Sequence, residues 1–235
     1  MNFKSLFDSS HSPSNCVKIG KFINHFIVVF ILNLQFKCFA SILLFIITME
    51  LPEVDGDHFN YFGYGSNLLA ARIHIENESA VRKAVGKLKD YRLDFNTYTK
   101  RWNGAPATIV PTNNSVVYGA IWSIDLKDLP DLDRQEGVHS NIYFNISVPV
   151  ETANGTIMCR AYLLTQQPTT ILHEGEEVPF ERQPSKTYLK TLVKGAIETG
   201  IPETYLNWMK KIKHNGNLVD SFEKQLELES VELSS

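Results

Sequence analysis

Tyr61-Phe62-Gly63-Tyr64-Gly65-Ser66-Asn67-Leu68 reads as a strand that runs into a tight turn and then a helix. The aromatic run suits a half-buried strand, and a helix-like segment, Leu68 to Ile75, follows the turn. Gly63 and Gly65 permit positive φ and close approach of a ligand to the backbone. Ser66 and Asn67 are suited to cap the entering helix. Free amides at such a turn can bind a carboxylate or a developing oxyanion. Short Gly-Ser-Asn turns are common, so this one takes its weight from a second motif downstream, Asp133-Arg134-Gln135-Glu136-Gly137-Val138.

Strand signals dominate outward from the turn. Leu88, Tyr91, Leu93 and Phe95 mark one strand. Ala107–Val110 and Val116–Ile124 mark two more, the first closed by Pro111 and joined to the second by the polar turn Thr112-Asn113-Asn114-Ser115. Phe144, Ile146, Val148 and Val150 alternate with other residues, and Asn154-Gly155 signals a hairpin that returns through Thr156–Thr165. These short strands predict an α+β fold: a small mixed, largely antiparallel β-barrel with flanking helices.

Three helical segments accompany the strands. Leu126, Leu129 and Leu132 share one face and lead toward Glu136, with Pro130 suited to an early turn. Ser185 caps a helix that runs through Thr199 to a stop at Gly200. Pro202 opens another that buries Tyr205, Leu206 and Met209. Gln166–Pro184 reads as a polar, mobile loop with three prolines. The catalytic-type domain is expected over residues 58–215, followed by an acidic, frayed tail at 216–235.

The first 48 residues differ in kind. Phe22–Thr48 is almost wholly apolar, with Lys37 its one charge, and is long enough to cross a bilayer as a helix. Residues 1–48 thus read either as a membrane anchor through 22–48 or as a non-native extension ahead of Met49, whose sequence resembles an ordinary soluble start. A membrane is a partner only under the first reading. The net charge of −3 with no basic block argues against nucleic acid as a partner. Cys16, Cys38 and Cys159 are too few for a disulfide framework, and no metal-ligand spacing occurs. Cys159 reads as a buried strand residue, and the His139-Ser140 pair has no triad partner.

Seven short matches, in order, resemble the γ-glutamylcyclotransferase family. They are Tyr61–Leu68, Arg72-Ile73, Leu93-Asp94-Phe95, Trp102-Asn103-Gly104-Ala105, Tyr118-Gly119-Ala120-Ile121-Trp122, Gln135-Glu136-Gly137-Val138 and Cys159-Arg160-Ala161-Tyr162. The chain departs from the animal enzymes at Gly63, where they carry alanine. The resemblance implies an enzyme of the lyase or acyl-transfer type that converts γ-glutamyl-amino acids to 5-oxoproline and a free amino acid. It implies Glu136 as the catalytic proton acceptor and donor. It implies Tyr61, Phe62, Gly63, Tyr64, Gly65, Ser66 and Tyr188 as the substrate-binding residues. For Tyr188, a plain aromatic on an amphipathic helix remains the alternative, and Tyr143 reads equally as a ligand contact or a barrel tyrosine. The resemblance further implies a cytoplasmic homodimer and a small γ-glutamyl molecule as partner, with neither cofactor nor metal. Asn67 favours the γ-glutamyl-amino acid group over relatives acting on glutathione or γ-glutamyl-lysine, whose turns are more like Tyr-Gly-Ser-Leu or Tyr-Gly-Thr-Leu. A non-catalytic binding domain on the same fold is the other alternative.

Overall fold

The computed structural model describes residues 51–172 and 176–234. The anchor or extension expected at 1–48 therefore lies outside the described residues, as do positions 173–175 of the polar loop. Strand β2 (His58–Gly63) is the centre of the fold. It pairs antiparallel with β4 (Ala107–Asp125) on one side and parallel with β6 (Gly155–Leu164) on the other, at Tyr61↔Arg160. The remaining order runs β4–β3–β5–β6, with β3 at Val81–Phe95 and β5 at Tyr143–Thr152. The β2–β6 pairing thus closes five strands into a mixed, largely antiparallel barrel. Two-residue β1 (Val54–Asp55) lies on β2 outside it. The α+β barrel read from the sequence is the observed fold.

Closure leaves no free edge on β2, and its aromatic side chains supply much of the core. Phe59 and Phe62 have no exposed surface. Phe62 lies against Gly86 and Gly119, which are directly paired on β3 and β4. A Cβ at either position would come within 3 Å of the Phe62 ring. The two hydrogens thus leave a slot for the ring, and full burial of such a side chain is worth about 1.5–3 kcal/mol.

The two strands expected at Ala107–Val110 and Val116–Ile124 are one. Pro111 and Thr112–Ser115 do not reverse the chain. The ladder with β3 steps from Lys89↔Val116 to Tyr91↔Pro111, so 112–115 bulge out while both halves keep the same partner. Asp90 and Asn114 take up the irregularity with left-handed backbone, φ 62° at each, and Asp90 Oδ1 accepts the Asn114 amide at 3.0 Å. The β5–β6 hairpin turns at Ala153-Asn154, with Gly155 (φ 124°) already paired to Thr152.

Helices α1 (Ala70–Ile73), α2 (Leu129–Gln135), α3 (Lys186–Thr199) and α4 (Glu203–Met209) flank the barrel. Ser185 caps α3 by accepting the Tyr188 amide, and Gly200 ends it at φ 76°. The loop expected to be mobile is tied where it is described: Arg182 is buried and makes two 2.7 Å contacts with Asp94. No helix of the described residues is long and apolar enough to cross a membrane.

The expectation of a frayed tail is corrected. Residues 220–225 form helix α5, and Leu226 and Leu228 are buried. Glu223 receives hydrogen bonds from Lys190 Nζ (2.9 Å) and Thr187 Oγ1 (2.7 Å) on α3. The acidic composition hid an apolar edge that the barrel's helices cover, so the folded unit extends past 215 at one end and includes Val54 at the other. Leu228→Ala should therefore lower stability by about 2–4 kcal/mol in urea denaturation, whereas an unpacked tail would give no change.

Candidate active site

The turn after β2 is fixed from three sides. A Cβ on Gly63 would stand 3.1 Å from the Asn67 carbonyl and 3.2 Å from Trp122 Nε1. Trp122 Nε1 donates to that carbonyl at 2.9 Å. Behind the turn, Gly195 of α3 lets the helix approach: a Cβ there would lie 2.5 Å from the Leu69 amide. Close approach is thus the reason for glycine, and positive φ is not. Gly65 sits at φ −101°, and neither Gly63 nor Gly65 enters the left-handed region. The capping expectation also fails. Ser66–Leu68 is a 3-10 turn capped at Gly65 with no side-chain bond, and Leu69 precedes α1 without one.

Asn67 is buried and turned inward. Its amide nitrogen donates to Tyr61 Oη at 3.0 Å and to Glu136 Oε1 at 3.2 Å. Glu136 arrives from the C-terminal end of α2, and Gly137 (φ 68°) turns the chain away behind it. The helix is itself anchored. Asp133 accepts from Arg160 Nη2 at 2.8 Å and from Tyr162 Oη at 2.6 Å, and Arg160 also reaches Glu53 at 3.2 Å. Gln135 accepts from Asn77 Nδ2 at 2.7 Å. Glu136 is therefore held by its neighbours on the helix as well as by Asn67.

These groups line a cavity of about 270 Å³. Tyr61, Tyr64, Gly65, Ser66, Glu136 and Tyr188 all line it. Phe62 and Gly63 do not: the strand alternation sends Phe62 into the core, and Gly63 packs under Asn67. Tyr188 Oη accepts the Ala107 amide at 3.0 Å, so the phenol is held in place where it walls the cavity. Tyr143 also lines it, donating to the Ala107 carbonyl at 3.0 Å. Trp102 supports Tyr188 edge-on at 4.7 Å and is itself stacked on Phe222 of α5 at 4.4 Å. Cys159 is buried, and burial pushes its thiol up to about 12, which is unsuited to a nucleophile.

Sequence reasoning gave no site role to Arg72, Arg101, Trp102 or Tyr162, all of which line the cavity. Arg72, Trp102 and Tyr162 stand in matched motifs, which was the available signal. Burial lifts the Glu136 carboxyl from 4.5 to about 7, against the opposing pull of Arg72, then Arg101, and of a hydrogen bond from Tyr61. A carboxyl poised there can accept a proton at neutral pH and return it. Among the described residues, no group of three or more His, Cys, Asp or Glu side chains could hold a metal ion.

Residues 116–209 match the model of the AIG2-like family. The chain is 38% identical over 177 residues to a curated mouse protein named gamma-glutamylcyclotransferase, covering 72% of this chain and 88% of that protein. A human protein of the same name is 39% identical over 171 residues, 71% of this chain and 85% of that one. A solved structure described as gamma-glutamyl cyclotransferase superposes with a TM-score of 0.63 at 35% identity, over 72% of this chain and 98% of its own.

The raised Glu136 pKa has a stability consequence. The folded chain binds a proton there more tightly than the unfolded chain. Stability from this group is full below pH 4.5 and is lost as pH rises through about 7. Glu136→Gln removes that loss, so differential scanning calorimetry should show the variant gaining several degrees in Tm at pH 8 relative to the unmutated protein, with no gain at pH 4.5.

Proposed function

This chain belongs to the γ-glutamylcyclotransferase family, and we propose that it acts on γ-glutamyl-amino acids with Glu136 moving the proton. The observation that carries this reading is the position of one carboxylate, raised to about 7 and held by Asn67, in the same cavity as the Gly65-Ser66 turn. The substrate supplies its own nucleophile. Its α-amine must meet its own γ-carbonyl, so the cavity's first task is to hold the chain bent, and such positioning is worth several powers of ten in rate.

The proton steps belong to the same reading. Glu136 takes a proton from the α-ammonium, and the freed amine attacks the γ-carbonyl carbon to close a five-membered ring. The carbonyl oxygen gains the negative charge. The backbone amides of the Gly65-Ser66 turn, which line the cavity, are the donors for that charge. Protonated Glu136 then gives its proton to the departing nitrogen as the C–N bond breaks. The extra proton left on the ring nitrogen returns through Glu136 to solvent, leaving 5-oxoproline, a free amine and an ionised carboxylate. The enclosed wall of Tyr61, Tyr64 and Tyr188 keeps the carboxylate basic by limiting its hydration. A homodimer and a cytoplasmic setting, which the family resemblance implies, belong to this proposal, and light scattering and cell fractionation would read them.

Release of 5-oxoproline from γ-glutamyl-alanine, glutathione and γ-glutamyl-lysine, measured side by side, should be fastest with the first. Binding of all three without release would instead favour a non-catalytic domain. Glu136→Gln should retain substrate binding and lose at least about 10² to 10⁴ in turnover. Because the ionised carboxylate is the base, kcat/KM should rise with pH through about 7 and level off above it. A profile that stays flat from pH 5 to 9 would remove Glu136 from the proton path.

A further inference from the structure

Arg72 is 3% exposed, and its Nε and Nη1 have no hydrogen-bond partner. A guanidinium stays charged in a protein, and leaving such a charge buried and unpaired costs several kcal/mol. The nearest carboxylate oxygen of Glu76 is 4.0 Å away, and Arg101 already takes that oxygen at 2.9 Å. The Trp102 ring lies 5.9 Å from the guanidinium carbon and supplies a face without an acceptor. Arg72 nevertheless lines the cavity that holds Glu136. A rigid, forked cation with free donors beside a cavity is suited to a bidentate carboxylate.

A γ-glutamyl substrate brings two carboxylates, and the geometry of its head separates them. The α-carboxylate shares a carbon with the α-amine, so whatever places that amine on Glu136 confines the α-carboxylate to the same end of the cavity. Of the cations around Glu136, Arg72 acts on it most strongly, ahead of Arg101. Arg101 also lines the cavity, but it is half-exposed and already paired to Glu76. Building on the function proposed above, we propose that Arg72 binds the α-carboxylate of the γ-glutamyl head. Arg72 and Glu136 then grip the two charges of one zwitterion, and this pins the amine toward the γ-carbonyl. The site thus takes γ-glutamyl compounds whose α-carboxyl is free and rejects γ-glutamyl links whose α-carboxyl is tied up in an amide, as within a protein chain.

The test compares three substrates: γ-glutamyl-alanine, its analogue with the glutamyl α-carboxyl as a primary amide, and γ-glutamyl-alaninamide. The unmutated protein should prefer the first over the α-amide by at least about 10² in kcat/KM. Arg72→Gln should shrink that preference to within about tenfold and leave the alaninamide ratio unchanged, and Arg72→Lys should keep part of it. An α-amide preference that survives in Arg72→Gln, or collapse of the alaninamide ratio in its place, would overturn the assignment. A readout that needs no variant is the Arg72 side-chain nitrogen resonances in the unmutated protein. They should move with 5-oxoproline, which keeps the carboxylate, and stay still with 5-oxoprolinamide; no movement at saturating 5-oxoproline also overturns it. If the unmutated protein releases no 5-oxoproline, the function itself fails. Intact release with unaltered discrimination removes only the role of Arg72.

Discussion

The parallel pairing of Tyr61 with Arg160 closes the barrel, and the site is built around it. Closure places the end of β2 beside β6. Arg160 is buried next to Tyr61, and its guanidinium holds Asp133 on one side and Glu53 on the other. Asp133 fixes the helix whose end carries Glu136. Tyr162, two residues along β6, donates to the same Asp133 and meets Tyr61 edge-on at 5.9 Å. The register that seals the hydrophobic core therefore also sets where the carboxylate stands. A buried ion pair adds little stability by itself, and here its work is positional.

Two opposing effects set the chemistry of Glu136. Removal from water favours the neutral acid, and the two arginines favour the anion. Burial prevails, by enough to bring the group to about 7 and no further. Without the arginines the carboxyl would hold its proton too tightly to act as a base at neutral pH. With more water it would fall toward 4.5 and lose its basicity. The Asn67 amide adds direction to this balance, since it bonds to the buried Tyr61 phenol as well as to the carboxylate.

Local strings in the sequence carried what local chemistry decides. The Ser185 cap and Gly200 stop, the Pro130 entry of α2 and the Glu136–Gly137 turn all rest on a few adjacent residues. Asn67 has the type of a cap, and its actual partners come from distant strands and helices that no local pattern reveals. Pro111 and Thr112–Ser115 have the composition of a turn, yet the shared partner β3 overrides it and keeps one strand. The tail misled through its charge, although Phe222 and Leu226 stand at helical spacing and were a usable signal. Arg72 lay within a matched motif, but only its burial and missing partners give it a role.

The turn's bonding pattern also bears on how the chain reaches its native state. Asn67 and Glu136 are 69 positions apart, Tyr188 and Ala107 are 81, and Tyr64 and the Tyr162 carbonyl are 98. No fragment of the chain contains the cavity. Contacts of such separation form only after the intervening loops have closed, so a topology of this kind folds slowly. The cavity takes shape with the barrel as a whole and dissolves with it, and the Glu136 carboxyl returns to ordinary acidity in the same cooperative step.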